Sequence, residues 1–594
     1  MRFRLPFRGN EVPVVADEPV NDAETPAAGE TKEKVGAETK PEGESDGDDS
    51  SKVFEPGVEA ARAMTETWSM QHLIIAYILI WIVCFIQAFS SGIIGTMTPY
   101  ITSAFQEHSL TATTGIVANV VSGLIKLPYA KLMNLWGRPQ AFGFMIVVMT
   151  MGIIMMAGCN NVKTYAAAQV FYSAGYSGID FTTTIFIADT SSLKSRAFMI
   201  AFASSPWLAT TWAYGPAAQS ALEHIGFRWG LGIWAIIYPV VCVPLWGLFY
   251  FNQKKAEKQG LVRKAANNRT FQESVIYYLR EFDVFGILLL AGGLAIFLLA
   301  FALYSYQSDQ WKSPLIICFL IFGGLLVIAF VIWEKYFAPV TFIPWYLIAN
   351  RTVFFTYTMV ASIYTAWYIW DSYFYSFLIV VFNESITHAT YITNIYTVGS
   401  CFCALCMGVI IRFNGRLKWL ALYFGVPLTI LGVGLMIHFR QPDSHIGYIV
   451  MCQIFIAFGG GILVICEQMT VMAVSTQQDI PAILAMESMV AYVADGIGQA
   501  IAAAMWTGIF PKKLAKYLPA DALPDLASIY GDLTVQSSYP IGSPTRNAIN
   551  HSYGDTQRYM LIAATCLYSI TLVSVLLWKD INVKKIKQVK GLVW

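Results

Sequence analysis

The chain has 594 residues, of which 56% are apolar, 14% are aromatic and only 13% are charged. Soluble domains carry roughly 25% charged residues, so the composition excludes a water-soluble globular protein and indicates a membrane-embedded one. The net charge of +1 hides an uneven distribution, because thirteen Asp and Glu against three Lys lie between residues 9 and 50.

Residues 1–67 are predicted to form a disordered acidic cytoplasmic tail. They are rich in Glu, Asp, Gly, Ala and Pro and contain almost no aromatic side chains. Such a segment cannot bury enough apolar area to offset the chain entropy lost on folding. It contains no apolar run of signal-peptide length, so membrane insertion is expected to depend on the first transmembrane helix.

Fourteen apolar runs follow, each long enough to cross a bilayer core about 30 Å thick, which needs about 20 helical residues. The predicted spans are 72–97, 111–133, 139–158, 162–188, 196–221, 228–251, 283–305, 313–334, 351–378, 386–411, 416–438, 446–474, 479–510 and 557–578. The predicted fold class is therefore an all-α polytopic membrane protein.

A hydrophilic connector with seven Lys and Arg, residues 252–282, separates two hydrophobic halves. The halves are predicted to be six-helix bundles at 68–251 and 351–578, and 283–350 holds two extra helices and a loop. Two bundles joined in this way are typical of carriers whose halves rock about a site at the membrane midplane.

The distribution of Lys and Arg predicts the orientation, because short cytoplasmic loops carry more of these residues than outer loops do. One orientation places 21 of them inside and nine outside. Both termini, including the basic tail 579–594, are then cytoplasmic. The long segment 511–556 is outside and is predicted to lack regular structure, which makes it a candidate functional loop.

The loop after the second span, residues 130–139, resembles the major facilitator signature Gly-x-x-x-Asp-Arg-x-Gly-Arg. Gly137 and Arg138 match it, whereas Asn134 and Leu135 replace its acid and base. These two positions therefore do not supply the charges of the gate latch that the motif carries in that family.

Two later segments are more specific. Residues 368–378, continued by 380–383, resemble the corresponding helix of fungal siderophore-iron transporters, and residues 538–546 are similar to a loop typical of that family. Residues 214–216 resemble the Gly-Pro element of proton antiporters with fourteen helices. The resemblance extends from about residue 68 to 578. It implies a major facilitator fold with fourteen transmembrane helices, in two six-helix bundles plus two extra helices.

Each ionisable side chain inside a predicted span costs about 2.5 to 3.5 kcal/mol on insertion scales, so its presence in the membrane requires a functional or structural explanation. The proton-coupling candidates are Asp180, Asp371, Glu467, Glu487, Asp495 and Lys126. The resemblance places the first three on helices that line the central cavity. Glu487 and Asp495 are about 80° apart around a helix and lean toward one side. The alternative is structural hydrogen bonding, and Lys126 either neutralises Asp180 or attracts an anionic group of the cargo.

A ferric hydroxamate siderophore already fills the coordination shell of its iron, so neither a protein metal site nor a cofactor is predicted. A broad aromatic surface with polar tips is expected instead. The substrate-binding candidates in the ninth span are Tyr364, Trp367, Tyr368, Trp370, Tyr373 and Tyr375. An aromatic belt at the outer membrane interface is an equal alternative. By the resemblance, Tyr539 and Arg546 lie at the entrance for cargo.

The leading hypothesis is proton-coupled uptake of ferric hydroxamate-type siderophores across the fungal plasma membrane by alternating access, with endosomal vesicles as a further location. A proton-coupled exchanger that exports glutathione or drugs uses the same fold, and a siderophore or nutrient sensor is the alternative of another class. The chain has no phosphate loop and no His-Glu-x-x-His motif, so it is predicted not to be an enzyme.

The predicted partners are the ferric siderophore, protons and the lipid bilayer, and no nucleic acid. Asn383 and Asn550 begin Asn-x-Ser sequons on the predicted outer side. They are candidate glycosylation sites.

Overall fold

The computed structural model describes residues 56–104, 111–261, 270–304, 307, 309–339, 345–586 and 588. Within these ranges every regular element is a helix, apart from one β-bridge between Arg416 and Asn582. Residues 1–55 of the predicted acidic tail, 262–269 of the connector and 589–594 of the basic tail lie outside the described residues.

Eight helices precede the connector. They are α1 (Pro56–Thr67), α2 (Met70–Ala104), α3 (Thr111–Trp136), α4 (Arg138–Ala157), α5 (Val162–Thr190), α6 (Leu193–Ser204), α7 (Trp207–His224) and α8 (Gly226–Lys258). The prediction of a disordered tail is wrong for residues 56–67, because α1 buries Val58 and Met64 and packs against α3 and α8.

The connector and the extra hairpin contain four helices. They are α9 (Phe271–Glu281), α10 (Val284–Leu303), α11 (Pro314–Tyr336) and the short α12 (Trp345–Ile348). Both described ends of the connector are helical, because α8 continues to Lys258 and α9 begins with a capping box. The Thr270 hydroxyl accepts from Glu273 N at 3.3 Å, and the Glu273 carboxylate accepts from Thr270 N at 2.9 Å.

The second half contains ten helices and one π-helical turn at Ala421–Gly425. The helices are α13 (Arg351–Asp371), α14 (Phe374–Val380), α15 (Ile386–Asn414), α16 (Leu417–Leu420), α17 (Val426–Phe439), α18 (Ile446–Ala473), α19 (Ile480–Tyr517), α20 (Leu526–Gly531), α21 (Leu533–Ser538) and α22 (Pro544–Leu577). The predicted structureless segment 511–556 is largely helical, because α19 ends at Tyr517 and α22 already begins at Pro544.

All fourteen predicted spans fall on helices, and ten spans of the described chain are long and apolar enough by themselves to cross a membrane. The other four coincide with α3, α5, the pair α6 and α7, and α13. Lys126, Asp180 and Tyr364 lie on three of these helices and line a central cavity. These helices are more polar because they face that cavity as well as their neighbours.

The helices pack in two groups. In the first, α4 packs against α5 and α8, and α2 packs against α7 and α8; in the second, α13 packs against α19 and α22, and α15 packs against α18. The groups meet where α3 contacts α19 and where α6 and α7 contact α15. The extra hairpin joins through α10, which contacts both α3 and α19.

The glycine run on α18 allows the close packing of the second group. A Cβ on Gly461 would lie 2.5 Å from the Ser400 carbonyl oxygen of α15, and one on Gly459 would collide with Thr429 of α17.

The two ends of the molecule are named by the segments that they contain. The end with α1, α9 and residues 578–586 is called the tail end. The opposite end, with residues 518–543, is called the loop end.

Candidate functional site

Three adjoining cavities lie where the two helix groups meet, and together they are called the central cavity. Their volumes are about 350, 280 and 60 Å³. Asp180 and Thr184 of α5 line all three, and Tyr364 and Gln468 line the two larger ones. Because both groups contribute wall residues, a ligand bound here would contact both halves of the protein.

Four carboxyl groups line the 280 Å³ cavity: Asp180, Glu467, Glu487 and Asp495. Glu467 is 2% exposed and Glu487 is 6% exposed. Within the described chain, Glu467, Glu487 and Asp495 each have one carboxyl oxygen without a hydrogen-bond partner. Burying a polar group without a partner is costly, and such groups in a protein interior call for an explanation beyond packing.

Lys126 provides the positive charge of the same cavity. Its Nζ lies 3.7 Å from Asp180 Oδ2, with the lysine side chain 11% exposed and the aspartate 54% exposed. It also donates to Ser488 Oγ at 3.5 Å. Since Asp180 belongs to the first group and Ser488 to the second, Lys126 bridges the two halves.

Two of the aromatic candidates line the central cavity. Tyr364 lines both larger cavities, and Trp367 lines the 350 Å³ cavity. Trp367 stacks on Tyr396 of α15 with ring centroids 5.9 Å apart and an interplanar angle of 30°. Tyr396 lines the same cavity and was not among the predicted site residues.

Tyr492 and Gln468 are two further cavity residues that were not among the predicted site residues. Tyr492 precedes Asp495 by three residues on α19, which places both on one side of the helix, and Gln468 directly follows Glu467. Both line the 280 Å³ cavity. Their spacing from the carboxyl candidates was therefore the signal that could have found them.

Four further aromatic candidates do not line these cavities. Trp370 is completely buried, and Tyr373 stacks on Trp506 with centroids 4.0 Å apart. Tyr368 packs edge-on against Trp367, and Tyr375 is partly buried against the core. The structure therefore places Trp370 and Tyr373 in packing clusters and not on a surface open to cargo.

Asp371 also lies apart from the cavity carboxyls. It is the last residue of α13, and its charge interacts with that of Arg440. Arg440 is completely buried, donates from Nη1 to the Trp370 carbonyl at 2.8 Å and lies over the Phe374 ring at 4.4 Å. This arrangement ties α13 to the end of α17.

Arg546, which was predicted to lie at the entrance for cargo, is buried and binds backbone carbonyls. It is 1% exposed. Its Nε and Nη2 donate to the Val380 carbonyl at 3.1 and 2.7 Å, and its Nη1 donates to the carbonyls of Gln536 at 2.9 Å and Tyr539 at 3.1 Å. Arg546 thus holds α14, α21 and the start of α22 together, and Tyr539 contributes through its backbone.

The two candidate glycosylation sites differ in structure. Asn383 is exposed between α14 and α15, with a left-handed backbone at φ 54°. Asn550 lies inside α22 and is only partly exposed. Asn383 is therefore the more accessible acceptor.

A charged cluster holds the two halves together at the tail end. Arg138 Nε pairs with Asp189 Oδ2 at 3.0 Å, and both side chains are almost completely buried. Asp189 Oδ1 accepts from Gln477 Nε2 of the second group at 3.3 Å, and Gln477 Oε1 accepts from Arg62 Nε at 3.0 Å. Asp189, Arg138 and Gln477 are called the tail-end latch.

Arg138 keeps a charged partner although the signature acid is replaced by Asn134. Asn134 does not supply a charge, but its Oδ1 accepts from Arg138 Nη1 at 3.3 Å, and its Nδ2 donates to the Gln478 carbonyl at 3.4 Å. The acid comes instead from Asp189 in the last turn of α5. Asp189 was not among the predicted site residues, although a carboxylate at the end of a predicted span was a usable signal.

The fold and the cavity between its halves define a multi-pass membrane transporter. The Major Facilitator Superfamily model matches residues 80–503. The solved structure of a bacterial homologue of iron transporter ferroportin in outward-facing state aligns with a TM-score of 0.50 and 9% identity, over 83% of this chain and 98% of that chain. At this identity, the alignment supports the fold alone.

Curated relatives are much closer in sequence. "MFS siderochrome iron transporter 1" of Ajellomyces capsulatus is 56% identical over 90% of this chain and 91% of its own length. "Siderophore iron transporter mirB" of Emericella nidulans is 38% identical over 96% of this chain and 95% of its own length. The chain therefore belongs to the fungal siderophore-iron transporter family of the major facilitator superfamily, and it is a transporter and not an enzyme.

Proposed function

We propose that this chain imports ferric siderophores of the hydroxamate type across the plasma membrane, driven by protons. The observation that carries the proposal is the central cavity, in which aromatic rings and carboxyl groups with unpartnered oxygens from the second half face Lys126 and Asp180 of the first half. The printed names of the relatives, siderochrome and siderophore iron transporters, favour this cargo.

The charges of the cavity favour hydroxamate cargo. Hydroxamate groups balance the charge of ferric iron, whereas ferric catecholates keep a net negative charge. The 280 Å³ cavity has four carboxyl groups and one lysine, and like charges repel most strongly where water is scarce. A neutral chelate would therefore enter more readily and rest on Tyr364, Trp367 and Tyr396.

The carboxyl cluster is the proposed proton site. A carboxyl oxygen without a hydrogen-bond partner can bind and release a proton without breaking a structural contact, and Glu467 and Glu487 each bury one such oxygen. Lys126 lies beside them and contacts both halves. Protonation changes the charge that Lys126 experiences, so it can couple proton binding to the approach of α3 and α19.

Alternating access requires the tail end to open after cargo has bound. The latch closes this end, so the bonds of Gln477 to Asp189 and Arg62 must break during each cycle. We place the tail end and both termini in the cytoplasm, because Lys and Arg accumulate on that side. Endosomal vesicles are a second proposed location.

The test is accumulation of radioactive iron in yeast that lacks its own siderophore carriers. Purified ferric hydroxamates and a ferric catecholate are supplied separately, with and without a protonophore. Hydroxamate accumulation that the protonophore abolishes is the expected result. If the protein reaches the surface and no chelate accumulates, export or sensing replaces uptake as the explanation.

The Glu487→Gln variant links this result to the site. Glu334→Gln is the matched control, because Glu334 is also a buried glutamate, at 1% exposure on α11, and does not line the central cavity. Loss of accumulation in the first variant only would attribute coupling to the cavity. Equal loss in both would contradict that assignment.

A further inference from the structure

Helix α9 leaves the line of α10 at a sharp bend. Asp283, between the two helices, has a left-handed backbone with φ of 36°, which few residues other than glycine adopt. Its carboxylate fixes the bend by accepting from Gly286 N at 3.3 Å and from Trp333 Nε1 at 2.9 Å. Because α10 is a candidate membrane span, α9 turns away from the span at the tail end.

One face of α9 is fixed to the end of α3. Glu281 Oε1 pairs with Lys131 Nζ at 2.8 Å, with the two side chains 18% and 17% exposed. The Tyr278 ring meets Trp136 edge-on, with centroids 6.3 Å apart. These contacts determine which face of α9 points away from the protein.

The exposed side of α9 carries two large apolar side chains beside the polar Gln272 and Glu273. Ile276 is 51% exposed and Leu279 is 52% exposed, and their spacing of three residues places them side by side. Arg280 is exposed next to them. A helix with an apolar outer face and flanking cations is typical of segments that lie in the membrane interface.

The cations at this end indicate the partner. Lys258, Arg280, Lys335 and Arg351 are exposed, and Lys335 is near the bend because Trp333 of the same helix caps Asp283. Lys254 is not included among these cations, because its charge is already paired with Glu257 at 2.8 Å. The remaining positive charge is complementary to anionic headgroups, each cation strengthening attraction to an anionic leaflet roughly fivefold.

We propose that α9 is an interfacial helix that binds anionic phospholipid of the cytoplasmic leaflet. Ile276 and Leu279 insert between the acyl chains, and Arg280 contacts the headgroup. The choice of leaflet rests on the orientation given under the proposed function. Through the Lys131–Glu281 pair, bound lipid holds the segment of α3 that leads into Arg138, so anionic lipid stabilises the closed tail end.

Amide hydrogen exchange of the purified full-length protein tests the binding without requiring transport. The protein is placed in nanodiscs of phosphatidylcholine alone or of phosphatidylcholine with phosphatidylserine. Exchange within residues 271–283 is expected to slow several-fold when phosphatidylserine is present. Equal exchange in both discs, or slowing that requires added cytosolic protein, would overturn the proposal.

Two variants locate the effect. Arg280→Gln is expected to weaken the phosphatidylserine response roughly fivefold, and Ile276→Gln combined with Leu279→Gln is expected to remove it. Lys312→Gln is the control, because Lys312 is an exposed cation at the other end of the same hairpin. A full response in the α9 variants, or a reduced one in the control, would contradict the assignment whether or not siderophore transport is confirmed.

Discussion

The tail-end latch and the central carboxyl cluster are both buried and charged, but they differ in how the oxygens of their carboxyl groups are hydrogen-bonded. In the latch, both Asp189 oxygens are bonded, one to Arg138 and the other to Gln477. In the cluster, Glu467, Glu487 and Asp495 each have an oxygen without a partner in the described chain. A carboxylate with both oxygens bonded holds one conformation, whereas a carboxyl group with an unbonded oxygen is ready to gain a proton or a new contact.

The largest effect is expected when the cluster loses its ability to ionise. Glu467→Gln keeps the size of the side chain but cannot exchange a proton, so accumulation against a gradient should be lost. A potential of about 100 mV is worth about 2.3 kcal/mol per charge, which corresponds to a roughly fiftyfold accumulation ratio. Radio-iron accumulation in intact cells measures this loss.

Exchange of labelled for unlabelled cargo separates coupling from folding in the same variant. This exchange needs no net proton movement, so the Glu467→Gln variant is expected to retain it. If both exchange and accumulation disappear while Glu334→Gln retains both, Glu467 acts in cargo binding or folding and not in coupling.

The next largest effect is expected at the latch. Asp189→Asn leaves Arg138 buried without its counter-charge, which costs about 3–5 kcal/mol when a buried pair loses one partner. The closed tail end should be destabilised and the Tm in detergent lowered. Thermal unfolding measures the Tm. Alkylation of Cys401 in inverted vesicles measures opening of the tail end, because Cys401 lines the central cavity.

The paired change Arg138→Met with Asp189→Leu sharpens the result. Replacing a buried ion pair by apolar residues of similar volume is often neutral for stability, so this double variant should regain its Tm. It should not regain normal uptake if the charges control opening. Recovery of both properties would reduce the latch to a packing element.

A smaller effect on transport separates two neighbouring tryptophans. Trp367→Ala removes a ring that stacks on Tyr396 in the cavity wall, and aromatic contacts contribute about 0.5–1.5 kcal/mol. The KM for the ferric siderophore should rise roughly two- to tenfold while the Tm changes little. Trp370→Ala is the comparison, and because Trp370 is completely buried, its main effect should be a lower Tm. The opposite pattern would place the cargo beside Trp370.

The helices could be predicted from the sequence because apolar runs of membrane-spanning length depend only on local composition. All fourteen runs fall on helices, and the resemblance identified the family. Reliance on local composition also explains why residues 56–67 and 511–556 were wrongly predicted to lack regular structure. Segments with Pro, Gly and charged residues form helices there because they pack on neighbours, as α1 does on α3 and α8.

The site was only partly accessible from the sequence, because its residues come from helices far apart in the chain. Lys126 and the cavity carboxyls could be singled out as charges in apolar runs. Aromatic residues within one helix could not be sorted into cavity and core, since Trp367 and Trp370 have the same composition signal but different neighbours. Asp189 acquires its role from Arg138 and Gln477, whose proximity only the fold creates.

The smallest effect is expected from removing one cross-half bond of the latch while leaving its ion pair intact. Gln477→Ala deletes the side chain that links Asp189 to Arg62, and such bonds contribute about 0.5–1.5 kcal/mol. The open fraction of the tail end should rise roughly two- to tenfold, measured as faster alkylation of Cys401 from the tail side. Gln478→Ala is the matched control, because residue 478 contacts Asn134 through its backbone carbonyl. Equal labelling rates in the two variants would show that the ion pair alone closes this end.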